Sequence, residues 1–493
     1  MQSGEPTPPI SLGAAPEQVG NHLGSRRVEL DARLLRRLGD ACDEVLVDDA
    51  SLVEASRDWW PLAMIWALSG EVGARAAALA RPATAAEVCA LLAVCDEARL
   101  PVTAAAGRSG VCGASVPLHG GVVLDLSAMS GIVDVDAESL VLDVLPGTFG
   151  TWLEDTLRAK HGATLGHWPQ SIDLSTVGGW LACRGAGQMS TRYGKIEDMV
   201  VGLDVALADG RHVRTGGAPR AAVGPDLNQL FVGSEGTLGI ITGARLRLHP
   251  APAAERRAAY AFESFAAGND ACRRIVQRGA TPAVLRLYDA IESDRSYQTG
   301  AERNVLLVMD EGDALLVDAT MAVVAEVCAE TEMLDVELVE RWMGHRNDVS
   351  ALEALITRDY VVDTMEIAAP WSRCGAVYEA ATAAIRAVPG ALVASAHQSH
   401  SYPDGACLYF TFAGQPAVDA KDAFYEAAWD AGTRAVLANG GALSHHHGVG
   451  LNRSRFVRDA LGPAFDVLVA VKQALDPNGI LNPGKLGLPD PWA

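Results

Sequence analysis

Three glycine-rich segments, each set among short β-type runs, constrain this chain more than any other feature of its 493 residues. The first, Ala104-Ala105-Ala106-Gly107-Arg108-Ser109-Gly110-Val111-Cys112-Gly113, follows the apolar run 101–105. Small side chains let backbone N–H groups approach a pyrophosphate, and Arg108 is available to neutralise it. The second is Pro169-Gln170-Ser171-Ile172-Asp173-Leu174-Ser175-Thr176-Val177-Gly178-Gly179-Trp180, continuing to Cys183-Arg184-Gly185-Ala186-Gly187. Here Ser175 or Thr176 caps a helix whose N-terminus turns its N–H groups toward an anion. The third is Gly233-Ser234-Glu235-Gly236-Thr237-Leu238-Gly239-Ile240-Ile241-Thr242. The first segment carries neither the GxGxxG spacing of a dinucleotide fold nor a Walker lysine, so NAD and ATP are not its first ligands. Each segment alone is an ordinary tight turn. Three within one α/β region point to a long diphosphate cofactor.

The texture around them divides the chain. Residues 1–25 are rich in Pro, Gly and Ser and are expected to be flexible. A helical segment follows over 26–80, with an amphipathic helix at about 28–45 carrying Leu30, Leu34, Leu35 and Leu38. Residues 81–250 alternate α and β. Thr84 with Glu87 is a capping box opening a helix, and Asp209-Gly210 marks a hairpin. His249-Pro250-Ala251-Pro252 breaks both helix and ladder. Beyond it, 251–440 holds two strand–helix–strand sets, which suggest an antiparallel sheet covered on one side by helices. Residues 441–493 contain a histidine run and one long helix at 455–475.

The net charge of −21 disfavours nucleic acid and anionic lipid surfaces as partners. No window holds the eighteen or more uncharged apolar residues of a membrane span. Nine cysteines form no CxxC pair, and neither a secretory signal nor a peroxisomal address is visible, so a reducing cytoplasm is the expected home.

The phrases STVGGW, YGKIEDMVVGL, GPDLNQLFVGSEGTLGIIT, SHHHGVG and LDPNGILNPGKL resemble the vanillyl-alcohol oxidase/p-cresol methylhydroxylase superfamily, closest to its alkyldihydroxyacetonephosphate synthase branch. The resemblance spans roughly residues 80 to 487. It implies an α+β fold: a two-lobed FAD-binding domain at 81–250, an antiparallel-sheet cap at 251–440 and a C-terminal helical segment. It further implies FAD contacts at Ala105, Ala106, Gly107, Arg108, Ser109, Gly110 and Val111 in the first segment. In the second they fall at Gln170, Ser171, Asp173, Ser175, Thr176, Gly178, Gly179, Arg184, Gly185 and Ala186. In the third they fall at Glu235, Gly236, Thr237, Gly239, Ile240 and Ile241. The first segment holds no histidine or tyrosine to which FAD would be linked, so the cofactor is expected to be non-covalent, and no metal is expected.

Histidine titrates near neutral pH, which suits the run Ser444-His445-His446-His447 to proton transfer. The resemblance selects His446 and His447 for that role, Tyr409 beside the reactive flavin nitrogen, and Arg286 and Arg358 for an anionic substrate. For the nearest branch it implies exchange of a fatty acyl group on dihydroxyacetone phosphate for a fatty alcohol. The rival reading is a FAD-linked oxidoreductase of a 2-hydroxy acid or another alcohol or amine, including one serving specialised biosynthesis. The metal-associated GDGNxH phrase of the 2-hydroxy-acid dehydrogenases is replaced here by Pro403-Asp404-Gly405-Ala406-Cys407-Leu408-Tyr409. Trp59, Trp60, Leu62, Ile65 and Trp66 form either an apolar tunnel wall or a buried anchoring helix. The expected partner is a small molecule, and a homodimer is an admissible assembly.

Overall fold

The computed structural model describes residues 3–24, 28, 30–300 and 302–492. A four-stranded sheet forms the first lobe, in the order Val45–Leu46, Ala78–Ala80, Val122–Asp125, Val102–Ala105. Its last three strands run parallel, and the helix Ala85–Ala98 covers it with Val88, Leu91, Leu92 and Cys95. Thr84 Oγ1 accepts from Glu87 N at 3.2 Å while Glu87 returns a bond to Thr84 N, the expected capping box. The second lobe is a five-stranded antiparallel sheet in which Val200–Ala206 and His212–Arg214 form the hairpin across Asp209-Gly210.

The cap is a seven-stranded antiparallel sheet: Glu332–Leu334, Ala254–Phe262, Asn304–Gly312, Val284–Tyr288, Ala391–Ser401, Gly405–Gly414, Val361–Pro370. Side chains alternate across a strand, and this alternation decides what each residue can do. Leu285, Leu287, Ala394, Ala396, Leu408, Phe410, Phe412, Met365 and Ile367 point to one face, where they pack under the helices Phe265–Gln277, Ala314–Val327, Trp371–Arg386 and Lys421–Ala438. On the other face Ala259, Val284, Leu307 and Met309 pack against the second lobe around Trp180 and Tyr193. The remaining inner-face positions, 286, 288, 397, 409, 364 and 366, carry polar side chains.

Three expectations need correction. Residues 3–24 are tied down rather than loose: Trp59 Nε1 donates to Thr7 O at 3.2 Å and Arg57 Nη1 to Ile10 O at 2.8 Å. His22 lies between Glu71 and Asp422 at 2.8 and 2.7 Å and stacks on Trp66. Residues 1, 2 and 25 lie outside the described residues. The single helix at 455–475 is broken into Val457–Leu461 and Ala464–Leu475, because Gly462 takes φ +55° and Pro463 follows it. Finally, the segment 26–80 is shared out: Val45–Leu46 and Ala78–Ala80 join the first lobe, whereas the helix Pro61–Leu68 is buried all round in the cap core. Trp60 donates to Tyr425 and Trp66 to Asp422, so this helix is the anchor of the two expected alternatives. Among the described residues no helix is long and apolar enough to cross a membrane.

Candidate active site

All three glycine-rich segments open on one cavity of about 850 Å³, lined by 104–111, by Gln170, Ser171, Ser175, Thr176, Gly178, Gly179, Gly185 and Ala186, and by Glu235, Gly236 and 239–241. The first two segments pack tightly on one another, so that a Cβ on Gly107 would meet Leu174 O at 2.2 Å, and the second packs on a neighbouring turn, where a Cβ on Gly178 would meet Pro146 Cβ at 2.8 Å. Toward the cavity they are open. A Cβ on Gly110 or Gly236 would find its nearest neighbour at 4.0 or 3.7 Å, within space a cofactor would take. Beside the glycines, Thr176 Oγ1 and both ring nitrogens of His167 are buried lining atoms that have no partner among the described residues. Burial draws His167 down to about 3, so its ring is neutral and offers one donor and one acceptor to a ligand. Open glycine faces and orphaned polar atoms along one wall fit a long dinucleotide such as FAD.

Three of the residues expected at the cofactor do not line the cavity. Asp173 accepts from Thr151. Arg184, held at φ +63°, is turned outward to Glu197 at 3.2 Å and Gln229 at 3.1 Å. Thr237 Oγ1 donates to Ser234 O at 2.7 Å, inside its own turn. Arg108 does line the cavity, but its charge is already met by the buried Asp125 at 3.2 Å.

The opposite wall is the inner face of the cap. Strand register sets His397 opposite both Tyr288 and Tyr409, and Glu366 opposite Tyr409. Glu366 organises the histidine run. Its carboxylate accepts from Ser444 Oγ at 2.9 Å and from the backbone N–H groups of His445, His446 and His447 at 3.0, 3.3 and 2.5 Å. Arg453 donates to both its oxygens, and neither partner of this ion pair is exposed. Burial would raise the Glu366 carboxyl; Arg453, His447 and the N–H bonds hold it below its ordinary value instead. Glu235 secures the far end of the same loop by accepting from Val449 N and Gly450 N, which joins the third glycine-rich segment to the histidines.

His447 Nε2 meets Tyr409 OH at 3.3 Å, and Thr364 Oγ1 donates to that phenol at 3.1 Å. Burial brings His447 down to about 4 despite the pull of Glu366, so it is a neutral base at pH 7. Next along the wall, Arg286 Nη2 donates to His397 Nε2 at 2.6 Å and its Nε to Tyr288 OH at 2.7 Å. His397 must then carry its proton on Nδ1, which donates to Glu292 at 2.6 Å.

Of the five expected catalytic residues, Tyr409, His446, His447 and Arg286 line the cavity and Arg358 does not. Arg358 is exposed on the turn after the helix Ser350–Ile356, where its backbone N–H donates to Leu355 O and its backbone carbonyl accepts from Gln415. The cation missed from the sequence is Arg346. It lines the cavity beside Trp168 and Trp342, with ring centroids at 4.7 and 6.0 Å, and its buried Nη1 has no partner among the described residues. Arg286 approaches the same Trp342 ring to 5.8 Å. Among the described residues neither arginine has a carboxylate within 4.0 Å, and burial lowers Arg346 to about 10. The clue was present as Arg341-Trp342-Met343-Gly344-His345-Arg346, a cationic and aromatic run in an otherwise acidic chain. His400, Cys407, His445 and His446 also bring potential metal-ligand atoms within 4.8 Å of one another, which the spacing of the sequence did not suggest.

A family model for the FAD binding domain matches residues 76–216, and one for the C-terminal domain of FAD linked oxidases matches 251–486. The chain is 34% identical over 406 residues to the uncharacterised FAD-linked oxidoreductase YgcU of Escherichia coli (strain K12), covering 78% of this chain and 83% of that one. It is 30% identical to alkyldihydroxyacetonephosphate synthase of Dictyostelium discoideum over 77% of this chain and 68% of the other. The fold matches the crystal structure of p-cresol methylhydroxylase with a TM-score of 0.77 at 18% identity, over 94% of this chain and 99% of that one. FAD is thus the cofactor, and the chain belongs to the FAD-linked oxidases of the vanillyl-alcohol oxidase/p-cresol methylhydroxylase superfamily.

Proposed function

We propose that the chain is an FAD-linked oxidoreductase of a small hydroxylated substrate bearing an anionic group. The observation that carries this reading is the pairing, in one cavity, of neutral His447 with two half-buried guanidiniums, Arg286 and Arg346, that have no carboxylate within 4.0 Å among the described residues. A guanidinium so placed is matched by a carboxylate or phosphate, and the acidic surface gives an anion no other reason to bind. Bound FAD supplies a hydride acceptor. The chain's own part is to fix the anion between Arg286 and Arg346, to pass the hydroxyl proton to His447 Nε2 through the Tyr409 hydroxyl that bonds to it, and to hold that imidazole beside Glu366. Pockets that enclose a ligand of drug size run to about 300–1,000 Å³, and this one of about 850 Å³ must also take the cofactor. That leaves room for a small substrate, and only Trp59 and Pro61 of the tryptophan-rich helix region reach the cavity.

A second reading, redox-neutral exchange of the alkyldihydroxyacetonephosphate synthase kind, is favoured by the histidine run and by the relative of that name. One experiment separates the two: the oxidised flavin band of the purified holoenzyme is followed anaerobically while 2-hydroxy acids and phosphorylated alcohols are added. Bleaching by one of them supports oxidation. A flavin that none reduces, together with turnover of an acyl-dihydroxyacetone phosphate, supports the exchange and overturns the first reading.

A further inference from the structure

Two histidines that open on the cavity, His446 and His400, are joined behind its wall by an unbroken line of hydrogen bonds. His446 Nδ1 meets His445 Nδ1 at 2.9 Å, and His445 Nε2 meets Tyr402 OH at 3.1 Å. Tyr402 OH meets Ser190 Oγ at 3.0 Å, and Ser190 Oγ meets His400 Nδ1 at 2.8 Å. The rings of His400 and His446 stand edge to face at 5.1 Å, so the line turns back on itself and both its ends serve one space. We propose that His446, His445, Tyr402, Ser190 and His400 form a two-ended proton relay that takes a proton from a bound molecule at one end and returns one at the other. The proposal rests on the reading of this cavity as the catalytic site.

The proton count closes. In one polarity His446 carries its proton on Nε2, facing the cavity. His445 Nδ1–H then donates to His446, Tyr402 to His445, Ser190 to Tyr402 and His400 Nδ1–H to Ser190, which leaves His400 Nε2 as an acceptor. In the other polarity every donor and acceptor is exchanged: His446 Nε2 is the acceptor and His400 Nε2–H the donor. Passing from the first polarity to the second takes a proton in at His400 Nε2 and releases one at His446 Nε2, and the reverse passage carries one from the His446 end to the His400 end. Each of the five groups gives one proton and takes one, so none is charged before or after.

That neutrality is what the surroundings require. All three imidazoles are desolvated, and burial lowers each well below the ordinary histidine value, with the neighbouring rings and Lys195 acting in the same direction. Lys195 Nζ donates to the His445 carbonyl at 2.7 Å and pairs with Glu197 at 3.0 Å, so its charge is fixed beside the line. A lone imidazolium here would be costly, whereas concerted reversal of the line avoids it. The middle of the relay is held in place from outside it: Trp371 Nε1 donates to the Tyr402 carbonyl at 2.9 Å. Neither Ser190 nor Tyr402 lines the cavity. Their role is therefore to position and connect, and the effect of changing them has to travel along the line to be seen at the cavity.

The test uses the FAD-bound protein labelled with ¹⁵N-histidine, and reads the tautomer of each ring from its two-bond ¹H–¹⁵N couplings at pH 7. The histidines of the relay are expected to be neutral, with coupled tautomers. Ser190→Ala should change the tautomer ratio of His446 by about two- to tenfold, the worth of one net hydrogen bond, although Ser190 does not touch that ring. Tyr402→Phe should do the same, and Ser190→Ala carries the test alone should that variant not fold. An unchanged His446 in Ser190→Ala overturns the relay, as does a charged ring at pH 7. So does stoichiometric zinc in the purified protein with these nitrogens as its ligands. The readout needs no turnover, so it fails or succeeds independently of the substrate assignment.

Discussion

Replacing Glu366 with Gln is the most informative perturbation of the site. The carboxylate accepts one hydroxyl bond, three backbone N–H bonds and the Arg453 guanidinium, with no exposed surface on either charged partner. Gln keeps the shape but turns an amide donor toward this crowd of donors and leaves Arg453 buried without its counter-ion. Removing one member of a buried pair costs about 3–5 kcal/mol. At about 2–4 °C per kcal/mol for a unit the size of the cap, the melting temperature should fall by about 6–20 °C. Release of flavin fluorescence on heating the holoenzyme measures it. The pH dependence adds a check of sign. The Glu366 pKa is depressed on folding, so its contribution is complete above the unfolded value of about 4.3 and is lost only as pH falls through the lower folded value. The difference between wild type and E366Q should therefore be the same at pH 8 and pH 6. A variant that melts within about 2 °C of wild type would refute the claim that this carboxylate holds the histidine run in place.

His447, brought to about 4, is in its basic form throughout the neutral range, so kcat/KM for the substrate found should show no inflection at the ordinary histidine value of about 6.5; a break there would assign the base elsewhere. Arg346→Ala should weaken inhibition by malonate or phosphate by at least about tenfold, the loss of one charge-assisted contact, while Arg358→Ala should leave it unchanged; equal effects would return Arg358 to the site. Acid precipitation should release all the yellow colour, since no histidine or tyrosine occurs in 104–111; colour in the pellet would demonstrate a covalent flavin.

What was legible in the sequence was local or periodic. The capping box at Thr84, the hairpin at Asp209-Gly210 and the alternation that turns Arg286 and Tyr409 to one face depend on residues a few positions apart. The common cavity wall was legible because three segments share one composition. The failures were long-range. Arg358 and Arg346 are equally plausible cations in one dimension; only the packing of the helix Glu337–His345 against the inner face of the cap sheet brings Trp342 and Arg346 to the cavity. Composition alone makes the N-terminal residues read as loose, but their bonds go to Trp59, Arg57 and Asp422, partners that no local pattern reveals. Tyr402 and Ser190 carry no motif, and their significance is a matter of who stands next to them.

Thr103, at the root of the first glycine-rich segment, bonds to Asn482, 379 residues later, and Val102 exchanges backbone hydrogen bonds with Ile480 and Asn482. Asn482 also donates to the Glu235 carbonyl at 2.7 Å. On the ribosome the first and third glycine-rich segments are therefore made roughly ten to seventy seconds before the turn at Asn482 that bonds to them, at about 5–20 residues per second. A chain stalled short of Asn482 would lack the bonds that join the first glycine-rich segment to the third, so the two are clamped together only after residues far beyond both have been made.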